Sequence, residues 1–76
     1  MAKIRILIVD DHPVVRAGLR TLLGAQIDME VVGEADDGAA AIRRALELEP
    51  DVVVMDITLG EVSGIEATRE IVSRLA

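Results

Sequence analysis

Three short apolar runs alternate with three amphipathic stretches along the chain. The first run, Ile4–Val9, is rich in β-branched residues and broken only by Arg5, the pattern of a strand covered on both faces. Pro13 suits the first turn of a helix, where its missing N–H has no partner to lose. From there Val15, Leu19, Leu22 and Leu23 recur at helical spacing up to Gly24, with 25–29 as a connector. Residues 30–35 read as a shorter strand of mixed polarity, interrupted by Gly33, as suits the edge of a sheet. Asp36, Asp37 and Gly38 offer an N-cap for a helix running to Leu48, with Ile42, Ala45 and Leu46 inward, and Pro50 blocks its continuation. Val52–Met55 is the most apolar strand, and 59–63 is a loop containing Gly60. A third helix, Gly64 to about Leu75, carries Ile65, Thr68, Val72 and Leu75 on one side.

The order βαβαβα forces parallel strands joined by right-handed crossovers. A strand order of 2-1-3 puts the first helix on one face of the sheet and the second and third on the other. It also makes the carboxyl ends of strands one and three neighbours, and ligands of such sheets bind at that edge. No linker, repeat or low-complexity tract interrupts the pattern, so residues 1–76 are expected to form one domain.

Composition narrows the function classes. The 76 residues, 51% hydrophobic and 29% charged, describe a soluble domain with a small core. A chain of this size buries only about 60% of its unfolded surface, and one core of this kind rarely supplies more than about 3 to 5 kcal/mol. The 14 acidic and 8 basic residues give a net charge of −6, which disfavours direct binding to nucleic acid or an anionic membrane. The lack of Phe, Tyr and Trp removes stacking platforms for bases. With no cysteine, disulfides, zinc fingers and thiol catalysis are excluded. The N-terminal apolar run is stopped by two aspartates, far short of a signal sequence or the about 20 residues of a spanning helix, so the cytoplasm is the expected location.

The candidate chemistry lies in Asp10, Asp11 and Asp56, which end the first and third runs. Each alone could be a loop starter or helix cap. Placed together at one sheet edge, however, three carboxylates repel unless a cation lies among them, and oxygen donors select a hard divalent ion such as magnesium. His12, the only histidine, has no second His or Cys with which to build a softer metal site and reads as an exposed loop residue. Arg16, Arg20, Arg43, Arg44, Arg69 and Arg74 read as solvated helix exteriors. Gly60 and Gly64 match no phosphate-cradling pattern.

The stretch Leu7-Ile8-Val9-Asp10-Asp11-His12-Pro13, with Val52-Val53-Val54-Met55-Asp56 and Ser63-Gly64-Ile65-Glu66-Ala67, resembles the receiver domain of two-component response regulators. Asp10 to Pro13, the Val31-Val32-Gly33-Glu34-Ala35 stretch and the Gly-Ile-Glu-Ala helix start are similar to the NarL/FixJ type, whose members usually carry a LuxR-like DNA-binding output domain. The resemblance implies a truncated flavodoxin-like fold comprising the first three βα units of the family's five. It makes Asp56 the phosphoryl acceptor, with Asp11, Asp56 and the backbone carbonyl of Thr58 on magnesium and Asp10 acting through a bound water. The donor it implies is a phosphohistidine on a sensor histidine kinase.

Two departures from the family pattern stand out. Leu59-Gly60 replaces the usual Met-Pro, and Ser63 stands where an acid is common. The family's later Ser or Thr, switch aromatic and Lys have no counterpart here, and Lys3, the only lysine, opens the first strand. A haloacid-dehalogenase-like phosphotransferase would want two aspartates separated by one residue, whereas Asp10 and Asp11 are adjacent. The expectation is therefore a phosphoacceptor module rather than an enzyme, or alternatively a folding or self-assembly unit without phosphotransfer. The exposed third strand is expected to recruit a second copy, giving a homo-oligomer.

Overall fold

The computed structural model describes residues 3–56 and 64–75. Thr58 and the expected loop at 59–63 lie outside the described residues. The elements are β1 (Ile4–Val9), α1 (Pro13–Gly24), β2 (Met29–Ala35), α2 (Gly38–Leu48), β3 (Val52–Met55) and α3 (Gly64–Leu75). The three strands form one parallel sheet in the order β2-β1-β3, the order expected from the pattern and the flavodoxin-like arrangement that the resemblance implies.

Side chains of β1 alternate between the two faces. Leu7 and Val9 join Ala35, Ala41, Ala45 and Ile71 in the principal core, with Ile42, Leu48, Val53 and Met55 packed around it. Ile6 and Ile8, of opposite parity, are buried beneath the other face. The α1 helix packs on β1 and β2, whereas α2 contacts both of these strands and α3. Parallel pairing thus leaves β1 covered on both sides, which explains a run apolar at nearly every position.

Within the β1–β2 pairing the register shifts, Ile6 standing opposite Val31 and Leu7 opposite Gly33, so Val32 is an extra residue on β2. Gly33 suits this point because a Cβ there would come within 2.6 Å of Leu48 Cδ1 and 3.2 Å of an Arg44 guanidinium nitrogen. The absence of a side chain lets α2 lie close over the bulged strand.

Helix ends follow local chemistry. The Asp37 side chain caps α2 by accepting from Ala40 N at 2.7 Å. At the other end Glu49 adopts φ 47°, a left-handed cap before Pro50. Arg5 Nη1 donates to the carbonyls of Leu48 at 2.7 Å and Glu49 at 3.1 Å, satisfying acceptors that the helix end leaves open. By contrast His12, at the N-cap of α1, makes no side-chain cap bond to the helix, and Pro13 starts the first turn.

Two expectations about helix faces need correction. The inward side of α3 is Gly64, Ala67 and Ile71, all buried, whereas Ile65 and Val72 are each 58% exposed and Thr68 is exposed. Small Ala67 and neighbouring Ile71 permit close approach to α2, and the bulkier residues are left on the flank. On α1, Leu19 and Leu23 are half-buried but Val15 and Leu22 are exposed, so the apolar stripe is only partly covered.

Candidate functional site

Backbone hydrogen bonding continues one residue beyond the strands, where the aspartates sit. Asp10 N donates to Ala35 O at 3.1 Å, and Asp56 N donates to Val9 O at 3.0 Å. Each aspartate is therefore pinned to the neighbouring strand as the chain leaves the sheet. Asp10 is buried, Asp56 half-buried and Asp11 exposed.

The loop between β1 and α1 is shaped by Asp10. Its Oδ1 accepts from His12 N at 2.8 Å, a local side-chain turn that reverses the chain into α1. The same oxygen lies 2.8 Å from His12 Nδ1. The imidazole nitrogen also lies 2.9 Å from Asp11 Oδ1 and 3.8 Å from Asp56 Oδ2. One ligand atom from each of Asp10, Asp11, His12 and Asp56 falls within 4.8 Å of the others.

The sequence expectation that Asp10, Asp11 and Asp56 share one sheet edge is thus met in the folded chain. His12 is exposed as expected, but its ring turns inward onto the acidic cluster. The hydrogen bond to Asp10, followed by the charges of Asp11, Asp10 and Asp56, raises its pKa above the ordinary 6.5. The signal available in sequence was adjacency: an imidazole directly after two carboxylates in a tight loop.

Arg16, expected on a solvated helix exterior, is instead half-buried and bonded. Its Nη1 donates to Asp10 O at 2.8 Å and its Nε to Glu34 Oε1 at 3.1 Å, while Arg20 Nη1 reaches Glu34 Oε2 at 2.8 Å. Glu34 on β2 therefore gathers two arginines one helical turn apart, and Arg16 holds the backbone of the aspartate loop. Of the other arginines, Arg43, Arg69 and Arg74 are exposed; Arg74 pairs with Glu70 within α3, and Arg44 pairs with Glu47 within α2.

The carboxylate cluster fits magnesium by its donor chemistry. Its three acids supply hard oxygen ligands, and a cationic or hydrogen-bearing nitrogen among them marks the point at which positive charge is favoured.

A parallel sheet with acidic residues at the carboxyl end of its central strand, flanked by helices on both faces, is the arrangement the receiver resemblance implies. The response regulator receiver domain family matches residues 6–75. Transcriptional regulatory protein LiaR of Bacillus subtilis (strain 168) is 51% identical over 73 residues, covering 96% of this chain and 35% of LiaR. Among solved structures, a two-component response regulator of the LuxR family from Aurantimonas sp. SI85-9A1 is 48% identical, with a TM-score of 0.91 over 96% of this chain and 52% of that one. The response regulator domain of Thermotoga maritima CheB is 45% identical, with a TM-score of 0.91 over 93% of this chain and 53% of that one. The chain belongs to the response regulator receiver family. It spans about a third of the length of the curated relatives it matches and about half of these solved chains.

Proposed function

We propose that this chain is a phosphoacceptor module in which Asp56 receives a phosphoryl group from a phosphohistidine on a sensor histidine kinase, and that it controls a DNA-binding output in the parent protein. The observation that carries this reading is the convergence of Asp10, Asp11 and Asp56 at the carboxyl end of the sheet. Asp11, Asp56 and the Thr58 carbonyl would hold magnesium directly, and Asp10 through a water. When bound, the ion neutralises the carboxylates and the phosphoryl oxygens, permitting in-line transfer to a weak nucleophile.

The chain's own part is to aim and to position. An Asp56 carboxylate oxygen forms the new bond to phosphorus as the donor's N–P bond breaks, giving an acyl phosphate and a free histidine. The backbone bond from Asp56 N to Val9 O fixes the acceptor against β1, and Arg16 holds the loop bearing Asp10 and Asp11. The protein is read as a substrate of phosphotransfer rather than an enzyme, acting in the cytoplasm. No helix among the described residues is long and apolar enough to cross a membrane.

Incubation with a small acyl-phosphate donor and magnesium tests the reading. Intact-mass analysis is expected to show one phosphoryl group on the wild type and none on Asp56→Asn; equal labelling of both would defeat it. Magnesium is also expected to raise the circular-dichroism melting midpoint of the wild type but not of Asp11→Ala.

A second reading, a self-assembly unit, is favoured by the β3 edge. Val53, Met55, Thr68, Ile71 and Val72 line a groove of about 210 Å³ beside it, and Val52 and Val72 are exposed. Pairing of two β3 edges would cover this apolar surface in a homo-oligomer. Light scattering during size exclusion is expected to show a dimer or larger species that Val52→Lys dissociates; a well-folded wild-type monomer at high micromolar concentration would remove this reading.

A further inference from the structure

The His12 ring already lies among the three carboxylates, hydrogen-bonded to Asp10 and in ion-pair range of Asp11 and Asp56. With Nδ1 lying 2.8 Å from Asp10 Oδ1 and 2.9 Å from Asp11 Oδ1, both of them acceptors, that nitrogen carries the hydrogen. Asp56 Oδ2, at 3.8 Å, completes the surround. A magnesium ion drawing on Asp11 and Asp56 would require their oxygens at about 2.0 to 2.1 Å and would keep water, not imidazole, between itself and Asp10. Its charge would also face the positive end of the N–H.

The His12 side chain is 62% exposed, and among the described residues its ring pairs with the acids of the site. Its backbone is held independently: N donates to Asp10 Oδ1 and O accepts from Arg16 N at 2.9 Å. The loop can therefore keep its course while the side chain rotates out to water.

The geometry points to His12 as a tethered stand-in for the divalent cation, occupying the Asp10–Asp11 oxygens in the metal-free protein and leaving them when magnesium enters. This inference rests on the magnesium reading of the site. It assigns His12 a role in metal binding opposite to that of a ligand: the ring competes for the oxygens it touches.

Magnesium titrations of the wild type and His12→Ala decide the matter, with affinity measured by calorimetry and the His12 ring followed by proton–carbon correlation spectra. The ring signals are expected to move to solvent-exposed values with the same midpoint as the Asp11 and Asp56 amides. His12→Ala is expected to bind magnesium roughly two- to five-fold more tightly, the scale of one partly exposed ion pair. Equal binding by both proteins, weaker binding by the variant, or a ring that saturating magnesium leaves in place would overturn the stand-in role and leave the magnesium reading intact. Absence of binding in both proteins would overturn that reading as well. The exposed position of His12 makes a folding failure of the variant unexpected, and circular dichroism checks it.

Discussion

The two faces of the sheet are held by different forces. On one, α2 and α3 bury Gly38, Ala41, Ala45, Gly64, Ala67 and Ile71, and Leu7, Val9 and Ala35 close the layer. On the other, α1 buries no residue of its own, and Val14, Val15 and Leu22 are exposed. Its attachments to the sheet include half-buried Leu19 and Leu23 and the polar clasp of Arg16 and Arg20 on Glu34. Dense packing thus anchors the sheet from the side of α2, while the side that carries the aspartate loop depends on directional bonds. Regions with few buried contacts open at lower free energy than the core, so α1 and its loop are the part of the molecule best placed to respond to a change in charge.

The largest expected contrast comes from truncating one leucine on each side. Leu7→Ala removes a fully buried side chain and should cost about 2 to 5 kcal/mol in denaturant unfolding followed by circular dichroism. Leu22→Ala, at a 67% exposed position, should stay within about 0.5 kcal/mol. Similar losses at both sites would dissolve the distinction between the faces.

Helix ends sharpen the same contrast at smaller scale. Asp37→Ala deletes the α2 cap and is expected to cost about 1 kcal/mol. Gly18→Ala acts in the opposite direction. It lies inside α1 with nothing within 4 Å of a new Cβ, so the substitution should stabilise by about 0.4 to 1 kcal/mol through helix propensity and a less flexible unfolded chain. A destabilised Gly18→Ala would mean that α1 is packed more closely than its exposure indicates.

The smallest effect concerns pH. Because the folded His12 titrates above 6.5, its contribution to stability is present in full below the unfolded value and is lost as pH rises through the raised folded value. Proton titration of the ring in metal-free protein should give a midpoint above 6.5, and Asp10→Ala, which removes the hydrogen-bonding carboxylate, should bring it down. A midpoint unchanged by that substitution would assign the shift to some other source.

Element boundaries were legible because punctuation is local. Pro13, Gly24, Asp37 and Pro50 act within a turn of themselves, and the helices and two strands begin and end where those residues imply; β2 starts one residue earlier, at Met29. Which helix face turns inward was less legible on α3. There the large Ile65 and Val72 suggested a stripe, whereas close approach to α2 selects small Ala67 beside Ile71. The meeting of Asp10 and Asp11 with Asp56 followed from strand order, a global inference that three parallel strands leave few ways to satisfy. Arg16 was opaque because its carboxylate partner, Glu34, is 18 residues away on another element, and pattern along the chain carries no record of such a pairing. The exposure of His12 was legible, but its pairing with the acids was not, because soft-metal chemistry was weighed and simple charge pairing was not.

The hydrogen bonds from Asp10 N to Ala35 O and from Asp56 N to Val9 O tie the reactive edge to the central ladder of the sheet. These two amides sit where strand separation, rather than loop fluctuation, must occur before solvent deuterium can enter. Their exchange should therefore be among the slowest in the chain, in step with Leu7 and Ile8, while amides early in α1 exchange sooner. The backbone anchors of Asp10 and Asp56, timed in this way, persist for as long as the sheet does, and their exchange becomes a direct clock for unfolding of the whole domain.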